Sequence, residues 1–440
     1  MTAATPTGGT PEPLTTEQTP ATSAPATSAP ATATPAEDVS AQAVRHQLGR
    51  LDLIGDVADG ALWRCVGDVD RFLAQDWTRQ PHLHRGDGFD DLLALDDVDH
   101  ILATMALRAP AFRLVKAGQP LAQSTYTRPA RIGSRPVTDL IDVGKVHAAF
   151  DDGATIVLQG LHRYWAPLTA FCRDLEATLT QPVQANAYIT PPVSSGLRVH
   201  HDGHDVFALQ TYGRKQWVAY EPGIDEQQPP ATPLMDLQLQ AGEALYMPRG
   251  APHAARTVDA ASVHITIGIR STTWAELLRR VVTDIIDEAE FDDVLPTSYA
   301  HDPQTLAPAV AARLDDLASR ITARDAGAVA TAAADRFWSS RPPQLSGQLR
   351  QLLAADQIDD ATEVVRRPGA TCRLMSTDGR LTAQLGDRRL RMPVSLAPAM
   401  TFVAAHRDFA VNDLAGLLNE ASRTVLVRRL VREGLLMVAQ

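Results

Sequence analysis

Residues Val199–Phe207 read VHHDGHDVF, and they are followed further along the chain by Pro248–His253, which read PRGAPH. The first stretch carries the His-x-Asp pair His200 and Asp202, and the second ends on His253. Alternate side chains of a β-strand share one face, so His200 and Asp202 would point the same way and the histidine between them the opposite way. Two histidines and one carboxylate hold non-haem iron with coordination positions left open. We therefore predict a metal site at His200, Asp202 and His253.

The plain alternative is that His200 and His253 are ordinary polar residues near strand ends. A His-x-Asp pair by itself occurs by chance too often to identify a site. The metal prediction therefore depends on whether the rest of the chain folds the three residues together.

The region around the motif alternates in hydrophobicity as β-strands do. Gly, Pro and Asn or Asp turns separate its segments, and no helical pattern intervenes, which favours an antiparallel sandwich or barrel. The predicted strands are Gln184–Ile189, Leu197–Asp202, Asp205–Thr211, Gln216–Tyr220, Ala244–Met247 and Ser262–Ile269.

Helical patterns flank this region on both sides. Residues 1–40 are Ala, Thr, Pro and Ser repeats that cannot bury a core, so we predict a disordered tail. Before the strands we predict helices at Ala41–Leu53, Val69–Ala74, Leu92–Leu107 and Tyr164–Leu179 and a strand at Ala154–Gln159. After them we predict helices at Ala275–Ala289, Leu306–Arg324, Ala328–Trp338, Ala397–Ala405, Val411–Asn419 and Ala421–Glu433, a hairpin of Thr371–Met375 with Arg380–Leu385, and an extended Leu435–Ala439.

Composition narrows the class of protein. The 440 residues are 45% hydrophobic and 21% charged, with a net charge of −11, which argues against a general affinity for nucleic-acid phosphates. No stretch is apolar for long enough to predict a membrane span, and the amino terminus lacks a signal-peptide pattern. The three cysteines, Cys65, Cys172 and Cys372, are scattered, so we expect inert thiols and a cytoplasmic location.

Further motifs carry a family resemblance. Asn186–Pro192, His200–Gln210, Gly213–Trp217 and Ala244–His253 resemble the JmjC ribosomal oxygenases, which are cupin-fold hydroxylases dependent on Fe(II) and 2-oxoglutarate. The resemblance covers the chain from about Leu53 to the carboxyl end. It implies that His200, Asp202 and His253 bind Fe(II), and that 2-oxoglutarate and O2 are cosubstrates.

The resemblance also implies that Lys215 binds the far carboxylate of 2-oxoglutarate. A diacid that chelates iron through one end needs a fixed cation for its other, buried end. We expect a turn at Gly213-Arg214 to fold the following segment over the barrel mouth. Arg214 is the alternative inward cation, and we prefer Lys215 because Trp217, on the same face, is expected to be buried. Asn186 and Tyr188 are candidate cosubstrate contacts, although core packing explains the tyrosine about as well; we do not count His204 or His264 as ligands.

The resulting fold prediction is α+β. It consists of a double-stranded β-helix (the JmjC or cupin barrel), a helical dimerisation segment and a carboxyl-terminal winged helix. The predicted domains are 1–40 (tail), 41–273 (catalytic), 274–355 (dimerisation) and 356–440 (winged helix). A stripe of Leu277, Leu278, Val281, Val282 and Ile285 suits a dimer interface, or alternatively packs on the barrel.

The predicted function is hydroxylation of an arginine or histidine side chain in a protein, with a ribosomal protein as the first candidate. One alternative is an oxygenase that tailors a peptide natural product; the other is a non-enzymatic ligand-sensing regulator. We expect a homodimer. We do not expect DNA binding, despite Arg423, Arg428, Arg429 and Arg432 in the last helix, because acidic residues lie close to them.

Overall fold

Strands rich in β-branched and alternating apolar residues are the regular structure of the described chain between Val183 and Ile269, and helices and strands are mixed before and after it. The computed structural model describes residues 60–86, 88–194, 198–288, 291–377 and 379–439; the predicted tail and the predicted helix Ala41–Leu53 lie outside them. The strands are β1 (His82–Arg85), β2 (Phe112–Lys116), β3 (Gln119–Pro120), β4 (Thr127–Ile132), β5 (Arg135–Ile141), β6 (Thr155–Leu158), β7 (Val183–Thr190), β8 (Asp205–Ala219), β9 (Met235–Gln240), β10 (Glu243–Met247), β11 (His253–Arg256), β12 (Ser262–Ile269), β13 (Glu363–Arg366), β14 (Arg373–Thr377), β15 (Arg380–Leu385), β16 (Arg388–Pro393), β17 (Asp408–Ala410) and β18 (Leu436–Val438).

Most of the helices coincide with predicted amphipathic segments, but those at Ala61–Val66, Val143–Asp151 and Gln348–Ala354 were not predicted. Most boundaries differ from the prediction by one to three residues, as frayed helix ends commonly do. The helices are α1 (Ala61–Val66), α2 (Val69–Arg71), α3 (Leu95–Thr104), α4 (Val143–Asp151), α5 (Ala166–Leu179), α6 (Trp274–Glu288), α7 (Ala307–Thr322), α8 (Ala326–Ser339), α9 (Gln348–Ala354), α10 (Ala397–Ala405) and α11 (Glu420–Arg432).

Strand β8 joins two antiparallel sheets. Its first half pairs with β10 and β12, and its second half pairs with β9 and β11. The larger sheet continues in the order β1-β10-β8-β12-β7-β6-β2-β3. The two predicted strands Asp205–Thr211 and Gln216–Tyr220 are therefore one strand, and the predicted turn at Gly213-Arg214 is wrong. Thr211 is instead the extra residue of a bulge in the pairing with β12, and Gly213, which follows it, has a φ of 64°, so the strand continues without reversing.

Buried side chains form separate cores in the two halves of the described chain. One face of the large sheet packs against α1, α3 and α5, with Phe72, Phe112 and Phe207 among its fully buried residues. A distinct cluster around Met400 and Val427 holds together β13 to β18, α10 and α11. Each core is large enough to stabilise its own layer of secondary structure.

The last 80 residues contain the predicted hairpin with a third strand added. Strands β14, β15 and β16 form an antiparallel sheet, and Asp378 of the predicted turn lies outside the described residues. The predicted helix Val411–Asn419 is wrong beyond its first turn, because a 3-10 turn ends at Leu414. The Asn419 side chain accepts a hydrogen bond from the Ser422 amide and so begins helix α11 instead.

The predictions of inert thiols and of no membrane span can be compared with this structure. Cys65 and Cys172 are buried and Cys372 is half-buried, and all three are free thiols. Burial raises the pKa of each, to about 11 for Cys372, which disfavours the reactive thiolate. Among the described helices none combines the length and the hydropathy of a membrane span.

Candidate metal centre

A row of inward-facing side chains crosses the large sheet. The strand register places Arg113 opposite Val157, Val157 opposite Tyr188, and Tyr188 opposite His264. Residues two apart on a strand share its face, so this row and its neighbours line one cavity of about 190 Å³. The cavity is also lined by Thr155, Asn186, His200, Asp202, His204, Lys215, Trp217, His253 and Thr266.

His200, Asp202 and His253 meet at this cavity. One nitrogen or oxygen atom from each lies within 4.8 Å of those of the other two, which is close enough for all three to bind a single ion. The Nε2 atom of His253 is 3.7 Å from the Oδ2 atom of Asp202. His253 is buried, whereas His200 and Asp202 are half-buried and face the cavity.

The backbone brings the two sequence segments together by a single antiparallel bridge. The His200 amide donates to the His253 carbonyl at 3.0 Å, and the His253 amide donates back at 2.8 Å. The Gly250 amide then donates to the Asp202 carbonyl at 3.0 Å. The predicted strand Leu197–Asp202 is wrong over its described residues, because this bridge is isolated; Leu197 lies outside them.

Hydrogen bonds fix both imidazoles in an orientation suited to a metal. The Nδ1 atom of His200 lies 2.8 Å from the Arg198 carbonyl, and that of His253 lies 2.9 Å from the Ala251 carbonyl. A carbonyl only accepts, so each Nδ1 carries the hydrogen and each Nε2 keeps its lone pair for an ion. Burial lowers the pKa of His253, which favours the neutral form that binds metals. The donor set and its geometry therefore fit a divalent transition metal.

His201 is separated from this site as the alternation of side chains predicts. Its ring is exposed and contacts the Glu226 carboxylate, on the loop after β8. The sequence VHHD thus contains one histidine that faces the cavity and one that does not.

Lys215 lines the same cavity because of the bulge in β8. Before the bulge, Val206 and Ala208 pack in the cluster that contains Trp217 and Ala219 after it. The cavity-facing residues of β8 therefore change from even to odd numbers. The reason is that β8 contains one extra residue, Thr211, where its pairing with Val263 and His264 of β12 shifts. Lys215 turns inward as a result, and Arg214 turns outward to pair with Asp259.

The Lys215 ammonium has little in the protein to neutralise it. The side chain is 3% exposed, and its Nζ atom donates to the Thr190 hydroxyl at 3.1 Å. Among the residues that the structure describes, no carboxylate forms an ion pair with it. Burial lowers the pKa of Lys215 to about 7. A buried cation without a counterion is suited to receive one from a ligand.

Asn186 and Tyr188 lie on the cavity wall contributed by β7. The Oδ1 atom of Asn186 accepts from the Gly160 amide at 2.9 Å, which leaves its NH2 group available to a ligand. Tyr188 stacks on His264 with ring centroids 5.0 Å apart, so packing accounts for part of its role. Burial raises the pKa of Tyr188, and its hydroxyl therefore stays protonated.

Arg113 was missed from the sequence, and His204 and His264, which we did not count as ligands, also line the cavity. Arg113 lies on β2, which we did not predict, and its Nε atom is buried without a hydrogen-bond partner in the described structure. His264 is buried, with its Nδ1 also unpartnered there, and burial lowers its pKa well below the ordinary value. His204 follows the motif directly. Pairing of the predicted strands Gln184–Ile189 and Ser262–Ile269 would have placed His264 on the same face as Tyr188. No local sequence pattern indicated that Arg113 would reach the cavity.

A comparison of the sequence with models of protein families agrees with the geometry of this site. Residues 163–277, which include the triad and Lys215, match the family model described as JmjC domain. This segment of the chain is a JmjC domain. This confirms the resemblance on which the sequence analysis relied, and the JmjC domain contains all six predicted site residues.

Curated proteins that are similar to this chain are named as hydroxylases or ribosomal oxygenases. The bifunctional lysine-specific demethylase and histidyl-hydroxylase NO66 of Drosophila melanogaster is 34% identical over 32% of this chain and 24% of its own length. Ribosomal oxygenase 1 of Gallus gallus is 28% identical over 51% of this chain and 39% of its own. The chain thus spans well under half the length of these relatives.

A solved structure shares the fold over a longer range. YcfD, a ribosomal oxygenase from Escherichia coli, aligns with a TM-score of 0.50 and 18% identity, covering 85% of this chain and 98% of that chain. At this identity the match shows the fold alone. The chain has a JmjC cupin-type fold of mixed helices and sheets.

Proposed function

We propose that this protein is an Fe(II)- and 2-oxoglutarate-dependent oxygenase that hydroxylates an arginine or histidine side chain of a protein. A ribosomal protein is the first candidate substrate. The observation that carries the proposal is that the two-histidine, one-carboxylate triad and the buried Lys215 line one cavity. A carboxylate-binding cation beside such a triad suits a diacid that chelates the metal.

Different residues of the cavity would bind the metal and the cosubstrate. His200, Asp202 and His253 would hold the ferrous ion, and Lys215 would bind the far carboxylate of 2-oxoglutarate. The Asn186 amide and the Tyr188 hydroxyl are proposed hydrogen-bond donors to the cosubstrate. When bound, iron and 2-oxoglutarate supply the activation of O2 that C–H hydroxylation requires.

The protein side chains position and enclose these groups. The carbonyl-bound Nδ1 atoms hold both imidazole rings in place before any ligand arrives. Trp217 lies 5.9 Å from the His253 ring, centroid to centroid, and covers that side of the site with apolar surface. Preorganised ligands and excluded water favour a productive orientation of one substrate C–H bond.

Relatives support a protein substrate without choosing the residue. One is named as a histidyl-hydroxylase and lysine demethylase, and another as a ribosomal oxygenase. Peptide tailoring remains a second candidate that uses the same site. A ligand-sensing regulator would bind 2-oxoglutarate without consuming it, so turnover separates it from both enzymes.

The decisive experiment measures succinate formed from 2-oxoglutarate with Fe(II), O2 and ribosomal proteins. Asp202→Ala removes the charged ligand, so we expect turnover to fall by at least about 100-fold. His201→Ala is the matched control, because this neighbouring ring faces away from the cavity, and it should retain turnover. Succinate formation that persists in Asp202→Ala would contradict the proposal, as would binding of 2-oxoglutarate without any turnover.

Mass spectrometry then identifies the substrate. Ribosomal proteins from a deletion strain should lack one oxygen atom on an arginine or histidine that wild-type cells carry. Unchanged ribosomal proteins together with intact turnover on a short peptide would favour the peptide-tailoring enzyme.

We also propose that the protein acts as a cytoplasmic homodimer through α6 and α7. These helices contact each other, but Trp274, Leu278, Val310 and Leu314 keep apolar side chains exposed. Helix α7 has no buried residue, which is unusual for a helix with an apolar face. A second copy would cover these residues.

The carboxyl-terminal part is proposed to be an architectural winged helix. Arg423 pairs with Asp360, Arg429 with Glu433 and Arg432 with Asp356. The Arg428 guanidinium donates to the Ile358 carbonyl at 2.7 Å. Because these arginines already have protein partners, they offer little free charge to a DNA backbone.

A further inference from the structure

A second and larger cavity lies between helix α5 and the segment 340–346. Its volume is about 770 Å³, and it shares no lining residue with the cavity of the metal centre. The start of β7 and the residue after β12 complete its wall. Ligand pockets commonly have this size, so a small molecule or part of a larger one would fit.

The walls of this cavity are strongly cationic. Four arginines line it, Arg163, Arg173, Arg270 and Arg341, and Glu176 is the carboxylate among its lining residues. The chain as a whole carries a net charge of −11, so the positive charge is a local feature. A concave surface of one charge sign concentrates the electrostatic field and attracts oppositely charged ligands.

Glu176 is already fully engaged by the protein. Its carboxylate accepts from Arg173 at 2.6 Å, from the Val183 amide at 3.0 Å, and from the Arg341 guanidinium. These contacts neutralise one of the two arginines and hold the helix against the segment after α8. Arg163 and Arg270 therefore have no carboxylate left within the cavity wall.

The remaining donors face the cavity without protein partners. Arg163 and Arg270 are exposed, and no side-chain hydrogen bond or ion pair joins either to another described residue. The Nε atom of Arg341 is buried and has no hydrogen-bond partner in the described structure. His162 accepts the Ala185 amide at Nδ1, so its neutral ring carries a hydrogen on Nε2.

We propose that this cavity binds a ligand carrying two or more linked phosphate groups. One guanidinium group can donate two parallel hydrogen bonds to two oxygens of a phosphate. Two free arginines, together with the N–H groups of Arg341 and His162, therefore suit a ligand with several adjacent anionic oxygens. The phosphates belong either to a free diphosphate, such as that of a nucleotide, or to an RNA strand. This site does not depend on the proposed oxygenase activity.

Calorimetry on the full chain tests the proposal with three probes: pyrophosphate, ATP and a single-stranded RNA octamer. We expect binding of at least one probe, and the double variant Arg163→Gln/Arg270→Gln should weaken it at least about tenfold. The matched control is Arg128→Gln/Arg131→Gln, which removes two exposed arginines of β4 and the same net charge; it should leave the affinity unchanged.

The probes also separate the two sources. Binding of pyrophosphate and ATP supports a free diphosphate, and binding of the RNA alone supports a strand. Absence of binding by all three, or an equal loss in the control variant, would overturn the site. Affinity for 2-oxoglutarate should be the same in every variant, which keeps this result separate from the oxygenase proposal.

Discussion

Lys215 is the residue that we propose to bind the far carboxylate of 2-oxoglutarate. It is buried in the cavity of the triad, whereas its neighbour Arg214 pairs with Asp259 on the surface. Lys215→Ala should weaken 2-oxoglutarate binding by about 10- to 100-fold, the usual value of a charge-assisted hydrogen bond. Arg214→Ala should have little effect. Titration of 2-oxoglutarate with Mn(II) bound measures both, and equal losses would contradict the assignment.

The pH dependence of cosubstrate affinity follows from the same lysine. Burial lowers the pKa of Lys215 to about 7, and a bound carboxylate would raise it again because it favours the charged form. Above pH 7 the free protein must take up a proton to bind, so affinity should fall by up to about tenfold per pH unit. The nearby His264 stays neutral over this range, because burial lowers its pKa well below the ordinary value.

Binding titrations between pH 6.5 and pH 9 check this expectation. Metal affinity should be measured separately at each pH, since it changes independently. An affinity for 2-oxoglutarate that is constant above pH 7 would show that the ammonium is not the group that binds the diacid.

The bulge in β8 determines which side chains of that strand reach the cavity. Gly213, two residues after the extra residue of the bulge, has a φ of 64°, and a Cβ atom there would lie 1.9 Å from the Ala261 carbonyl oxygen. Gly213→Ala should therefore destabilise the fold by more than about 3 kcal/mol and disturb Lys215. Gly223→Ala is the matched control, because Gly223 also has a positive φ but no atom within 4 Å of the added carbon.

Denaturant unfolding measures the free energy of unfolding of both variants. The comparison distinguishes the steric clash with Ala261 from the cost of a positive φ at alanine. The control should lose only about 1 kcal/mol, the cost of a left-handed alanine. If the two variants lost the same stability, the close approach to Ala261 would not be what requires glycine at position 213.

Assembly of the whole molecule depends on the apolar surface of α6 and α7. Leu278 is 56% exposed and Leu314 is 60% exposed, so a charge at either place costs little in an isolated chain. Leu278→Asp/Leu314→Asp should produce monomers if a second copy covers this surface. Val425→Asp, on the exposed side of α11, is the control. Analytical ultracentrifugation distinguishes the outcomes, and a wild-type monomer would contradict the dimer.

Local patterns in the sequence were sufficient for several elements and for the candidate triad. The predicted helix Ala397–Ala405 and strand Ser262–Ile269 have the observed bounds, because their apolar spacing agrees with their packing. His200 and Asp202 face the cavity and His201 does not, as predicted, although an isolated bridge takes the place of the predicted strand. The roles of the triad and Lys215 as ligands remain predictions.

Tertiary structure decided the features that depend on distant segments. Two predicted strands are one strand because β8 pairs continuously with β12 across the bulge at Thr211, and this bulge, rather than a local turn, directs Lys215 inward. Arg113 reached the cavity because β2 pairs with β6, a contact across about 40 residues that no local pattern encodes. The sequence by itself determined which side chains alternate along a strand, because that follows from covalent geometry. Only long-range pairing decided which of those faces closed around one site, since register is a property of two segments and never of one.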